Sequence, residues 1–335
     1  MELFREYESL PRGLLDLDAT ELHEATGGPA LLHLPGHRPQ PLFVSVLLHG
    51  NESTGWYAIR EILRDYADRE LPRALSLFLG NTLAAREGLR RLDHQPDYNR
   101  IWREGDSPEH EMARRVLSIM KERGVFAAVD VHNNTGRNPH YAAINRLGNK
   151  FLQLASLFSR TVIFFRTPEE ALSNAFADLC PAVTLECGQP GAEGGTAHAR
   201  EYLEACLKMS AIPDHPVAPH DVDLYHTRAI VTVPSEFSFS CNGGESDIRF
   251  VENIDRFNFT ELETGTRFAS LRPGSRSRLI ARNEEGEEVS ERYFYFENGG
   301  IRTRLPFMPS MLTRDERIIR QDCLCYIMER YPLDA

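Results

Sequence analysis

The chain alternates between uncharged apolar runs and polar punctuation, and several runs stop at groups that do chemistry. Leu42-Phe-Val-Ser-Val-Leu-Leu48 carries no charge and ends at His49-Gly-Asn-Glu52. Such a run predicts a strand buried on both faces of a sheet. Residues Ser53 to Tyr66 then place Trp56, Ile59, Leu63 and Tyr66 on one helical face. The strand pattern returns in Ala74-Leu-Ser-Leu-Phe-Leu-Gly-Asn81 and in Val125-Phe-Ala-Ala-Val-Asp-Val-His132, which closes on Asp130 and His132. It returns again in Ala182-Val-Thr-Leu-Glu-Cys-Gly188, with Glu186 inside the run.

The remaining elements follow from local signals. Pro29, Pro35, Pro39 and Pro41 break up the later part of residues 1–41, an opening segment in which Ala30 to Leu34 reads as an edge strand. Asn81 to Arg100 is polar and arginine-rich, which predicts a long structured loop, a common carrier of function. Ser107-Pro-Glu-His supplies a hydroxyl cap, proline at the first helical position and a carboxylate near the positive end, and Gly124 stops the helix. Gly148 to Arg160 predicts a helix, Thr161 to Phe165 a strand and Thr196 to Ser210 a helix.

Alternation of apolar strands and amphipathic helices makes residues 1–211 an α/β domain. Proline-rich residues 212–225 form a linker, and 226–335 a smaller β-rich domain of short strands between glycine turns. Those strands are predicted at Ala229 to Val233, Glu236 to Ser240, Arg249 to Glu252, Arg278 to Ala281 and Glu291 to Glu297. Thr313 to Arg330 either opens a helix with a Thr313/Glu316 capping box or continues as strand.

Composition narrows the function classes. With 335 residues and 41% hydrophobic content, the chain can bury large cores without staples. Its net charge of −11 argues against a general nucleic-acid or anionic-membrane surface, so no nucleic acid and no membrane is expected as partner. Six cysteines show no Cys-x-x-Cys pairing and read as reduced thiols. A charged amino terminus and the lack of any run of membrane-spanning length point to the cytoplasm. A homo-oligomer stays open.

The candidate chemistry gathers where strands end, the edge at which open α/β sheets bind ligands. His49 and Glu52, three residues apart on a turn, can point at one cation, with Gly50 letting the backbone bend between them. His132 adds a second imidazole, completing the ligand set of a catalytic zinc with a position left open for water. Asp130 is two residues away on the same strand face and can orient His132, or simply be satisfied by loop amides. Glu186 inside its apolar strand needs an explanation: an ion pair, a further carboxylate at the metal, or a general base. Arg90 and Arg100 offer planar forks for a carboxylate or an oxyanion.

His49-Gly-Asn-Glu52, Asp97-Tyr-Asn-Arg100, Asp130-Val-His-Asn133 and Thr184-Leu-Glu-Cys-Gly188, in that order, resemble the succinylglutamate desuccinylase/aspartoacylase family of metallocarboxypeptidase-like zinc hydrolases. The likeness spans roughly residues 40–210. It implies a three-layer α/β/α, zinc carboxypeptidase-like domain around a mixed sheet, and one zinc per chain held by His49, Glu52 and His132. It further implies Glu186 as general acid/base, Arg90 facing the scissile carbonyl, and Asn99 and Arg100 holding a carboxylate. The substrate class is then a small carboxylate-bearing amide such as an N-acyl amino acid. A short-peptide carboxypeptidase is the alternative, and a non-catalytic binding protein a weaker one.

The family pattern is departed from twice. Two extra residues between Arg90 and Asp97 let Arg91 stand in for Arg90, and residues 167–185 lack the arginine with which aspartoacylase-like members clasp a second carboxylate. Arg137 or Arg166 would have to replace it.

Overall fold

The computed structural model describes residues 3–333 and divides into two compact units. Of the described residues, the first comprises 3–133, 140–223 and 333; the second comprises Asn134–Pro139 and Leu224–Pro332. Among the described residues, no helix is long and apolar enough to cross a membrane.

The first unit is a mixed sheet with helices. Its strands are β1 (Arg5–Tyr7), β2 (Ala30–Leu34), β3 (Gly36–Val46), β4 (Leu71–Leu79), β5 (Ala127–His132), β6 (Tyr141–Ile144), β7 (Thr161–Phe164) and β8 (Ala182–Glu186). They lie in the order β1-β2-β4-β3-β5-β8-β6-β7. Strands β4, β3, β5 and β8 are mutually parallel, whereas β2 and β6 run against their neighbours β4 and β8. The ends of these four parallel strands, at Leu79, Val46, His132 and Glu186, therefore reach one edge.

Helices α1 (Leu22–Thr26), α2 (Thr54–Asp65), α3 (Thr82–Arg86), α4 (Pro108–Glu122), α5 (Asn149–Ser156), α6 (Leu172–Phe176) and α7 (Gly195–Lys208) complete this unit. Gly55 of α2 sits so close to β3 and β5 that a Cβ there would lie 2.8 Å from Val46 and 2.9 Å from Val131. Helices α4 and α6 share a separate core with Phe43, Phe78, Ala128 and Ala182, in which Phe43 stacks on Phe176 at 4.2 Å.

Most local signals resolve as read. Ser107 Oγ accepts the His110 amide at the start of α4, and Gly124 follows the helix at φ 63°. Three readings differ. Strand β3 stops at Val46, because Leu47 turns the chain at φ 58°, a conformation that costs a branched side chain energy. Ala30–Leu34 is not an edge strand, since β1 pairs outside it in parallel. The expected loop from Asn81 begins as α3, which Asn81 Oδ1 caps by accepting the Ala84 amide at 3.1 Å.

In the second unit, β9 (Asp223–Thr232), β16 (Met308–Ser310) and β17 (Cys325–Arg330) form an antiparallel group that β13 (Ile280–Arg282) joins through β9. A separate sheet runs in the order β10 (Phe239–Ser240), β11 (Ile248–Phe250), β12 (Arg267–Leu271), β15 (Gly300–Thr303), β14 (Phe294–Glu297). Phe250, Phe268, Phe294 and Phe307 meet in its core. The first half of the segment expected as strand from Glu291 is helix α8 (Ser290–Tyr293). The undecided C-terminal segment is both helix and strand: α9 (Glu316–Gln321) is capped by Asp315 rather than Thr313, and β17 follows.

Arg73 on β4 is 1% exposed yet has no carboxylate among its bonds. Its guanidinium donates to the carbonyls of Gln40 and Met209, each at 2.9 Å, and lies 3.5 Å from the Phe126 ring centroid. It thus fastens the end of α7 to the sheet. Arg73→Met keeps the stem and strands those carbonyls, so it should lower stability by about 2–3 kcal/mol, read as a fall in the urea midpoint; an unchanged midpoint would contradict this role.

Candidate metal centre

His49 and Glu52 lie in the turn after β3, and His132 ends β5. The neighbouring strands β3 and β5 thus deliver three buried side chains to one point. Glu52 Oε1 is 2.9 Å from His49 Nδ1, and its Oε2 is 2.8 Å from His132 Nδ1. One ligand atom from each residue fits within 4.8 Å of the others.

The far nitrogen of each ring is held separately. His49 Nε2 lies 3.0 Å from Asp97, and His132 Nε2 lies 2.7 Å from Asp130. A carboxylate on Nε2 fixes the ring's orientation and favours the tautomer with hydrogen at Nε2, leaving the Nδ1 lone pair directed at the Glu52 side. A lone pair facing a carboxylate is repulsive unless a proton or a cation lies between them. Two imidazoles and a carboxylate arranged in this way fit a divalent ion of borderline softness such as zinc.

Charge follows the same logic in the metal-free protein. Burial and Arg90 pull the His49 imidazole down, but Glu52 and Asp97 outweigh them and raise it above its ordinary value. Burial opposes protonation of His132, yet Asp130 and Glu52 hold it well above that value. Glu52 and Asp97 are both lowered despite burial, Glu52 by the two imidazoles, Asp97 by His49 and Arg90.

The loop from Gly88 to Arg100 is bound onto this cluster. Arg90 is 7% exposed and places its fork 3.5 Å from Glu52 and 3.2 Å from Asp97. Arg91 instead donates to the Gln95 carbonyl at 3.0 Å within its own loop. The Gly50 amide donates to the Arg90 carbonyl at 3.0 Å. A Cβ on Gly50 would lie 2.2 Å from the Ala85 nitrogen and 2.3 Å from the Ala84 carbonyl carbon. Gly50 is therefore required for close approach to α3, not for an unusual bend.

Asn99 Nδ2 comes within 3.5 Å of His132 Nε2, while its Oδ1 accepts the Leu172 amide at the start of α6. Arg100 donates to the Asn99 carbonyl at 2.9 Å. Glu186 ends β8 directly opposite His132 on the adjacent strand β5 and is 8% exposed. Arg137 pairs with Asp255 at 3.4 Å, and Arg166 is exposed.

Two residues to which the sequence assigned no role bind the cluster together. Asp97 accepts the Asn99 amide at 2.8 Å while facing His49 and Arg90. Asn133 donates its amide to Glu52 Oε2 at 3.1 Å and its side chain to the Gly188 carbonyl at 2.9 Å. Their places inside the Asp-Tyr-Asn-Arg and Asp-Val-His-Asn runs were the available signal.

The fold is shared with several solved structures. The chain superimposes on succinylglutamate desuccinylase from Chromobacterium violaceum with a TM-score of 0.57 at 17% identity, covering 89% of this chain and 86% of that one. For murine aminoacylase 3 the values are 0.53 at 14%, with 89% and 97% covered. For the ectoine utilization protein EutE from Ruegeria pomeroyi, in a product-bound structure, they are 0.51 at 17%, with 89% and 87% covered. No protein-family model matches the chain, and no curated protein matches it by sequence.

Two outcomes follow. A divalent cation must displace the protons that Glu52, Asp97 and Asp130 retain on the two imidazoles. Metal affinity should therefore fall with falling pH, by up to about two logarithmic units per pH unit where both rings are protonated. Chelator competition at about pH 6 and about pH 8 measures this, and equal affinities would contradict the ligand set. Gly50→Ala should cost about 1–3 kcal/mol in denaturant unfolding and weaken metal binding, because the clash is with backbone.

Proposed function

We propose that the chain is a zinc-dependent hydrolase of the succinylglutamate desuccinylase/aspartoacylase family, cleaving the amide bond of an N-acyl amino acid. The reading includes a three-layer α/β/α, carboxypeptidase-like catalytic domain and one zinc per chain on His49, Glu52 and His132. The observation that carries it is the convergence of both Nδ1 atoms on Glu52, with Glu186 beside His132 on the next strand. Fold likeness to a desuccinylase and an aminoacylase favours an acyl amino acid over a peptide as substrate.

Zinc bound there would polarise the scissile carbonyl and lower the pKa of a water to about 7. Glu186 takes that water's proton and passes it to the departing amine. Arg90, fixed by Asp97, faces the charge that develops on the carbonyl oxygen. Asn99 and Arg100 hold the substrate carboxylate at the mouth of the same loop.

Amine release from a panel of N-acyl amino acids and short peptides tests the reading. Glu186→Gln should lower kcat by about a hundred- to ten-thousandfold while metal content stays the same. Full activity in the variant would remove Glu186 from its role, and preference for peptides would make the protein a carboxypeptidase.

A further inference from the structure

Strand β1 is three residues long and polar, and it brings charge to a buried imidazole. Glu6 pairs with Leu31 of β2, and His33 lies two residues further along that strand. Residues two apart in a strand share a face, so Glu6 and His33 stand on one side of the sheet. Ser76 of β4 is paired opposite His33, and its Oγ lies 2.8 Å from His33 Nδ1. Arg123, at the end of α4, donates to Glu8.

His33 is 3% exposed, and its Nε2 has no hydrogen-bond partner among the described residues. Glu6 Oε1 lies 3.2 Å from that nitrogen but off the direction a hydrogen bond requires. The hydrogen of a neutral ring is therefore better used at Nδ1, toward Ser76, which leaves the Nε2 lone pair facing the carboxylates. Burial and Arg123 hold the ring below its ordinary pKa, although Glu8 and Glu6 pull the other way. The imidazole is thus ready to act as a ligand.

One nitrogen of His33 and one oxygen from each of Glu6 and Glu8 lie within 4.8 Å of one another. Beside them is a cavity of about 470 Å³, lined by Glu8, His33, Ser76 and Arg123 among others. We propose that Glu6, Glu8 and His33 form a second metal site, separate from the cluster at His49, and that it takes one divalent ion such as zinc. A lone pair against a carboxylate is repulsive, and Arg123 is engaged with Glu8 rather than with that contact. A cation relieves the repulsion and uses both groups as they stand. One imidazole with two carboxylates suits zinc or manganese better than calcium or magnesium, which take oxygen ligands. Bonds of about 2.0–2.2 Å need the three atoms slightly closer together, and exposed Glu8 supplies this by turning. The ion would tie the amino-terminal strand to β2, and its place does not depend on what the other cluster does.

The test is equilibrium dialysis of the full chain against micromolar zinc, with Glu6→Gln/Glu8→Gln beside it. The wild type should bind one more zinc per chain than the double variant, and zinc should slow amide hydrogen exchange in β1 of the wild type alone. Arg123→Gln removes the competing cation and should tighten this added zinc by about tenfold. Equal zinc content in wild type and double variant overturns the site. So does an added zinc that leaves exchange in β1 unchanged, because the ion then lies elsewhere. Weaker zinc binding in Arg123→Gln overturns it as well, since the guanidinium would then be part of the site and not its competitor.

Discussion

A carboxylate with 5% of its surface exposed persists only when its charge is answered, and Glu52 is answered on both oxygens. Each imidazole that answers it is itself answered at its other nitrogen, by Asp97 or Asp130. Asp97 needs a cation in turn and finds Arg90. The demand for compensation thus passes outward from one buried charge through five further residues. It ties the turn after β3 and the end of β5, which the sheet already sets side by side, to a loop about forty residues along the chain.

The backbone is built to make that meeting possible. Parallel strands β3 and β5 end side by side, so their following residues emerge at the same edge without any long connection. Leu47 spends strain to turn the chain sharply after Val46, and its carbonyl is used at once, accepting the Asn81 amide at 2.7 Å. Gly50 then lets the turn press against α3, and its amide holds the Arg90 carbonyl. Strain and close packing at this edge are the local cost of aiming three donors at one point.

Features that rest on composition along a few residues were legible in the sequence. The apolar runs ending at His49, His132 and Glu186 marked the strands of the parallel core, and the polar residues after them marked the site. Features that rest on pairing across the chain were not. Tyr141–Ile144 is four residues long and looks like any apolar patch until β8 is beside it. Arg5–Tyr7 is too short and polar to read as strand, and it exists because β2 offers an open edge. Asp97 could be placed in a motif, but its bond to His49 spans a separation of 48 residues and depends on the loop's folding back. Gly50 was legible as important and misread in its reason, since a forbidden Cβ is visible only with Ala84 and Ala85 in place.

Charge balance follows from the same cluster. Glu52, Asp97 and Asp130 bring three buried carboxylates together, against the guanidinium of Arg90. Like charges so close in a medium of low dielectric raise one another's energy unless positive charge lies among them. In the metal-free protein the two imidazoles supply it, since the carboxylates hold both above their ordinary pKa. A proton and a divalent cation therefore compete for the same place beside Glu52, and the acids that orient the rings also create the demand for positive charge there.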